Sequence, residues 1–351
     1  MREITYGQAI NEAYMEAMRR DKNVIAYGLG IDDPKGIFGT TLGLKERFGE
    51  ERVFDMPTSE NAMTGVAIGA SLNGIRPVMC HQRMDFFLLA MDQLVNNAAK
   101  WSYMFGGESS VPITIRLIIG RGWGQGPTHS QSLQAWLTHI PGLKVVMPAI
   151  AADAKGLLLS SIFDNNPVIY LEHRWLHNLK GDVPSGDFRV PIGKAQCLKE
   201  GKDISIISFS YMTIEALHAV EILDKKGISC DLIDLRSLSP LDWHTVFESV
   251  HKTKRLLVLD TGQASGSISA EIIARVCMKC HGKLFKAPLR IALPDFPTPT
   301  SFSMTKHFYR GAEDIVIEVM KLFGKNIKKE VLKIKKNFPH DVPGDWFKGP
   351  F

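Results

Sequence analysis

Several things are scarce in this 351-residue chain, and each scarcity excludes a class of protein. Long apolar runs are missing: the uncharged stretch from Phe86 to Met91 is far short of the roughly 20 residues that span a bilayer. The N-terminal MREITYGQAI has no basic-then-apolar leader, so a soluble, cytoplasmic protein is expected. Cysteine is sparse, and Cys80, Cys197, Cys230, Cys277 and Cys280 are odd in number and lack framework spacing, which points to reduced thiols. Cys277 and Cys280 form a lone CxxC inside a helical pattern, short of the ligand count of a zinc site. No GxxxxGK[ST] occurs and no strand runs into a GxGxxG that opens a helix, so the chain has no phosphate cradle of its own. The net charge of +5 owes much to Lys325, Lys328, Lys329, Lys333, Lys335 and Lys336, which have no interleaved aromatics and read as a solvated face rather than a nucleic-acid site.

What is present is an ordinary globular balance, 45% apolar and 23% charged, in a chain long enough for two or three domains. Apolar residues at helical spacing from Thr5 to Arg19 lead into a buried strand, Val24 to Tyr27. Strands at Val53, Arg76 to His81, Ile113 to Ile119, Lys144 to Met147 and Val168 to Glu172 then alternate with helices, among them a long one from Phe86 to Tyr103. This is the pattern of a doubly wound parallel α/β sheet over residues 1–178. Residues 179–200 read as a linker with one edge hairpin. Residues 201–324 repeat the alternation as a smaller open α/β sheet, with a single helix beyond Pro299, and 325–351 form a basic tail.

Ligands of such sheets bind at the carboxyl ends of the strands. The second strand is followed by Glu60, in the first turn of a helix within VFDMPTSENAMTGVAIGASLNG. So many small residues imply that another backbone packs closely on that helix. The third strand is followed by Gln82, Asp85 and Phe86, and the fourth by the loop GRGWGQGPTHSQ with His129. One carboxylate, one amide, one aromatic ring and one imidazole at a common rim suit recognition of, and proton transfer on, a flat heteroaromatic. Taken singly, Glu60 equally suits the helix dipole, Phe86 the core and His129 loop packing. A site without a phosphate anchor implies a partner chain that brings one.

The ordered segments GIFGTTLGLKERFGEERVFDMPTSE, DQLVNNAAKWSYMFGG, THSQSLQAWLTHIPGLKVVMP, DAKGLLLSSIFDNNPVIYLE and DLRSLSPLD resemble the β subunit of the thiamine-diphosphate-dependent 2-oxo acid dehydrogenases, over about residues 3 to 320. The resemblance implies a transketolase-like fold: a pyrimidine-binding domain, then a transketolase C-terminal domain. It also implies an α2β2 heterotetramer whose α subunit holds Mg2+ and the diphosphate, and a lipoyl acyltransferase core as a further partner. On this resemblance Glu60 bonds the aminopyrimidine ring nitrogen and drives its tautomer, Phe86 and Gln82 lie beside that ring, and His129 faces the reacting carbon. SSIFDNNP resembles a loop that holds a structural potassium ion, with Ile113, Ser161, Ile162, Asp164 and Asn166 as ligands; read on residues alone it is a helix end capped by Asp and Asn.

The chain departs from that pattern in places. Gly28, Leu29 and Gly30 stand where an acid is usual, His81 and Arg83 replace apolar or small residues around Gln82, and PDFPTPTSFSMTKHFY differs from the region that docks the core in familiar members. Two further readings are an acetoin-cleaving or transketolase-like subunit of a specialised biosynthesis, and a non-catalytic scaffold, against which Glu60 and His129 speak.

Overall fold

The computed structural model describes residues 2–120 and 125–327; residues 121–124 of the glycine-rich loop and 328–351 of the tail, with Lys328, Lys329, Lys333, Lys335 and Lys336, lie outside the described residues. Thr5 starts the first helix, Tyr6–Arg20, through a reciprocal cap: its Oγ1 accepts from the Gln8 N–H at 3.1 Å and its own N–H donates to Gln8 Oε1 at 2.9 Å. The strand Val24–Gly28 follows and becomes the next-to-edge strand of a seven-stranded sheet.

The strand order in that sheet is Ser237–Ser239, Lys144–Val146, Val168–His173, Thr114–Ile119, Arg76–His81, Val24–Gly28, Val53–Asp55. All pairs are parallel except the first, which is antiparallel. Thr114–Ile119 and Val168–His173 are buried along their whole length, as strands covered on both faces require. One covering layer pairs Tyr6–Arg20 with Ala151–Ile162; the other holds Glu60–Leu72 and the helical segment 84–104.

The second sheet is five-stranded, in the order Leu289–Leu293, Leu256–Gln263, Ile204–Ser208, Cys230–Asp234, Gln196–Lys199, the last strand antiparallel. Both apolar layers continue into it: Leu158 and Ile206 share one cluster, Ile115 and Val258 the other. Ser237–Ser239 strengthens the union, because it follows a strand of the second sheet and pairs with the first.

Four expectations need correction. The linker forms no hairpin: Lys180–Val183 pairs with Arg2–Thr5 and Gln196–Lys199 joins the second sheet, so one segment is shared between distant partners. The single helix from Phe86 to Tyr103 is broken into Met84–Phe87, a 3-10 turn Leu88–Ala90, a π-helical turn Gln93–Ala98 and Ala99–Met104. At the π turn Asn96 and Asn97 bond back to the Asp92 and Gln93 side chains. Beyond Pro299 a short helix, Phe302–Phe308, precedes Ala312–Leu322. The close backbone approach expected of the Glu60 helix is not made among the described residues: Val66 is 57% exposed, and a Cβ at Gly69 would meet nothing within 4 Å. No described helix is long and apolar enough to cross a membrane, and all five cysteines are free.

Candidate active site

The chain leaves Val24–Gly28 for Val53–Asp55 on one side, then returns to Arg76–His81 on the other, so the strand order switches there and opens a crevice at the carboxyl ends. Gly28 is required at this point, since a Cβ would sit 2.1 Å from the Cys80 carbonyl oxygen. The loop that lacks the usual acid is tied down otherwise: Gly30 N–H donates to Asp55 Oδ1 at 2.7 Å, and Gln82 Nε2 donates to the Leu29 carbonyl at 3.2 Å. Gln82 therefore spans the crevice.

Pro57 ends the strand before Glu60, and Ser59 takes the N-cap position without a side-chain cap bond. Glu60 is 4% exposed, and its carboxyl forms no hydrogen bond among the described residues; only its main-chain oxygen is engaged, by Thr64 Oγ1 at 2.8 Å. A carboxyl of a buried residue at a helix N-terminus, without a hydrogen-bond partner among the described residues, is free to accept or share a proton with a group from outside the chain. Phe86 and His129 do meet: their rings lie edge to face with centroids 5.4 Å apart. Thr128 Oγ1 holds His129 Nδ1 at 3.0 Å, leaving Nε2 for an external partner. Asp85 points Oδ1 at the Gln131 side chain, 2.8 Å away, and so pins the segment that follows His129.

Under this rim lies a buried charged cluster that the sequence reading missed. Arg116 bonds Glu172 Oε1 through Nε and Nη2, Thr40 Oγ1 at 2.9 Å and Tyr14 OH at 3.2 Å. Burial pushes the Glu172 carboxyl up most strongly, but Arg116 and the neighbouring His177 together outweigh it and hold the group below the usual carboxylate range. His177 Nε2 stands 3.5 Å from Glu172 Oε2, an approach too long for a good hydrogen bond. Burial pushes His81 and His177 down to about 4 and His173 to about 3, so all three rings are neutral at pH 7. The signal was in the sequence: a charge inside an otherwise apolar strand, Arg116 in TIRLII and Glu172 in VIYLEH.

The residues assigned to potassium by resemblance gather at the far end of the sheet from the rim. Arg76 Nη1 donates to the carbonyls of Ile162 (3.2 Å) and Asp164 (2.9 Å), and Lys144 Nζ pairs with Asp164 Oδ2 at 2.5 Å. Ser161 and Ile113 carbonyls accept from Asp164 N–H and Val168 N–H, and Asn166 N–H caps Asp164 Oδ1. A cation fits this loop only on the second lone pairs of those carbonyls. Among the described residues no group of three or more His, Cys, Asp or Glu side chains is arranged for a metal.

With this geometry in view, the likeness to known proteins is specific. Residues 2–178 match the family described as "Transketolase, pyrimidine binding domain", and residues 193–315 match "Transketolase, C-terminal domain". The chain is 43% identical over 314 residues to "Acetoin:2,6-dichlorophenolindophenol oxidoreductase subunit beta" of Cupriavidus necator, covering 87% of this chain and 92% of that one. It is 40% identical to "2-oxoisovalerate dehydrogenase subunit beta" of Bacillus subtilis (87% and 94%), and 39% identical to that organism's "Pyruvate dehydrogenase E1 component subunit beta" (86% and 93%). A solved structure, "Split gene transketolase, inactive beta4 tetramer", superposes with a TM-score of 0.75 at 22% identity, covering 92% of this chain and 100% of that one, which shows the fold. The chain belongs to the β-subunit family of the 2-oxo acid dehydrogenases, a thiamine-diphosphate-associated branch of the transketolase-like proteins.

Proposed function

We propose that this chain supplies the pyrimidine-side half of a thiamine-diphosphate site and works with an α subunit, as an α2β2 heterotetramer in the cytoplasm, to decarboxylate a 2-oxo acid and pass the acyl group to a lipoyl acceptor on an acyltransferase core. The observation that carries this is the buried Glu60 carboxyl, unpartnered among the described residues at the crevice where Gln82 also ends. When bound, the cofactor supplies an acidic ring carbon as nucleophile and an electron sink. Glu60 would share a proton with the pyrimidine ring nitrogen, Gln82 would bond its polar edge, Phe86 would pack on it, and His129, through Nε2, would hold or move a proton at the substrate oxygen.

The sequence lacks the diphosphate motif, so Mg2+ and the diphosphate fall to the α subunit. The open small-residue face of the Glu60 helix supports a partner backbone close to the site. A structural potassium ion at Ile113, Ser161, Ile162, Asp164 and Asn166 belongs to the same reading. Exchange of potassium for choline should lower the melting midpoint if the ion binds, and leave it unmoved if Arg76 and Lys144 alone hold the loop.

The test is calorimetric titration of thiamine diphosphate and Mg2+ into the chain alone and into the chain mixed with its α-type partner. Binding only in the mixture supports a shared site; binding in neither overturns it. The similarity to an acetoin oxidoreductase subunit favours a second reading, cleavage of a hydroxyketone instead of a 2-oxo acid. Lipoyl-dependent turnover of acetoin in place of 2-oxo acids would select it.

A further inference from the structure

Arg83 is a buried charge that the reading above leaves without a use. It is 5% exposed, precedes the short helix Met84–Phe87, and turns its guanidinium toward the loop that carries His129. Nη1 donates to the Gly120 carbonyl at 2.5 Å, and Nη2 donates to Gln125 Oε1. Both acceptors are neutral, and no carboxylate among the described residues forms an ion pair with it. Asp85, the nearby acid, is turned instead to Gln131 and keeps Oδ2 buried without a hydrogen bond.

The surroundings add positive charge. Arg174, 1% exposed, lies over the Phe38 ring with 4.2 Å to its centroid, and after burial the Arg83 charge is the next cause that holds it down to about 9. Glu172, the fully buried acid of the cluster, is engaged by Arg116. A guanidinium taken out of water is disfavoured; the Asp85 charge offsets part of that cost for Arg83 without closing an ion pair, so its donors, which meet neutral acceptors, are suited to an anion. Arg83 reaches the loop at Gln125 and Phe86 reaches it at His129, so one short segment presents a cation and an aromatic ring to the same loop.

We propose that Arg83 binds a second anionic group, carboxylate or phosphate, at the end of the substrate remote from its reacting 2-oxo acid, with that anion taking the place of the Gln125 amide at Nη2. The substrate class is then a dicarboxylic or phosphorylated 2-oxo acid rather than an aliphatic one. An anion is matched here by a planar donor fork with N–H groups to spare, where an aliphatic chain would leave the charge unpaired. The inference rests on the catalytic reading above.

The test measures initial rates of the assembled α and β complex with pyruvate, 3-methyl-2-oxobutanoate, 2-oxoglutarate, oxaloacetate and a phosphate-terminated 2-oxo acid, for wild type, Arg83→Gln and Arg83→Lys. Wild type should favour an anionic substrate over pyruvate in kcat/KM by about tenfold or more. Arg83→Gln should collapse that ratio mainly through KM, and Arg83→Lys should restore part of it. Whether the dicarboxylic or the phosphorylated arm is preferred identifies the anion. A wild-type preference for aliphatic substrates, no turnover of any anionic one, or an Arg83→Gln loss equal across substrates, as a mere loop clamp would give, overturns the proposal. Absence of cofactor binding to the complex would instead sink the catalytic reading itself.

Discussion

Two buried polar regions of this molecule contrast in how they are satisfied. In the second sheet, Ser205 bonds Ser249 and Thr253 at 2.7 Å each, Ser249 donates to Asp231 at 2.5 Å, and Lys252 closes on Asp231 at 2.6 Å. Every group in that cluster finds its partner within the chain. At the rim of the first sheet, and among the described residues, both His81 nitrogens, Asp85 Oδ2 and Ser130 Oγ are buried without hydrogen-bond partners, Glu60 is buried with its carboxyl unengaged, and Arg83 donates to neutral acceptors. Buried polar groups are normally satisfied, and exceptions also occur away from the rim, at Asp153, Asp234 and His251; what sets the rim apart is that its exceptions lie beside Glu60 and Gln82 at the crevice. The first cluster fixes structure; the second, on the function proposed above, would meet a ligand and a partner.

Mutation of the two regions should therefore separate activity from stability. The largest effect is expected from Glu60→Gln in the assembled complex, a loss in turnover of about 10² to 10⁴ with the melting midpoint little moved, since no internal bond is broken. Turnover close to wild type would remove Glu60 from the chemistry. His129→Ala should follow, with a loss of about 10² concentrated in transfer to the acceptor; a large drop in thiamine diphosphate affinity, measured by calorimetry, would contradict that role.

The next effect is one of pH. Burial holds His81 down to about 4, whereas the unfolded ring takes up a proton near 6.5. Between those values the unfolded state binds the extra proton, so stability falls as pH drops from 6.5 toward 4, by about 1.4 kcal/mol per pH unit for this ring. Its only described ring contact is Phe87, at 5.0 Å, so His81→Leu should remove that slope without leaving a new unpaired group. Denaturant titrations at pH 5 and pH 7 check this, and an unchanged slope would show that the ring is already charged or solvated.

The smallest effect should come from Ser205→Ala. It removes two short bonds, but Ser249 keeps Asp231 and Thr253 Oγ1 keeps the Arg255 carbonyl, so about 1 kcal/mol of stability is lost and kcat stays as in wild type. A fall in kcat here would break the separation between the two regions.

Much of this is legible in the sequence alone. Strand and helix alternation gave both parallel sheets because apolar periodicity reports local burial, and five ordered motifs carried the family. Glu60, Gln82, Phe86 and His129 were legible as a rim because each follows a strand, and in an open α/β sheet strand ends share one edge. What stayed hidden is nonlocal. The pairing of Lys180–Val183 with Arg2–Thr5 spans nearly the whole first domain, and the union of Ser237–Ser239 with the first sheet crosses between domains; neither has a sequence period to announce it. The break near Gln93 was invisible because its side-chain bonds depend on rotamers, not on residue types.

The sequence by itself determined the fold class, the absence of a phosphate cradle and the set of rim residues, since these depend on residue type and order along the chain. Only the tertiary structure decided that Phe86 packs on His129, that Gln82 bridges to the Leu29 carbonyl, that Arg116 neutralises Glu172 under the rim, and that Arg83 forms no ion pair with a carboxylate among the described residues. The reason is physical: whether a buried charge is paired depends on which strands become neighbours, and that is settled by the packing of the whole sheet.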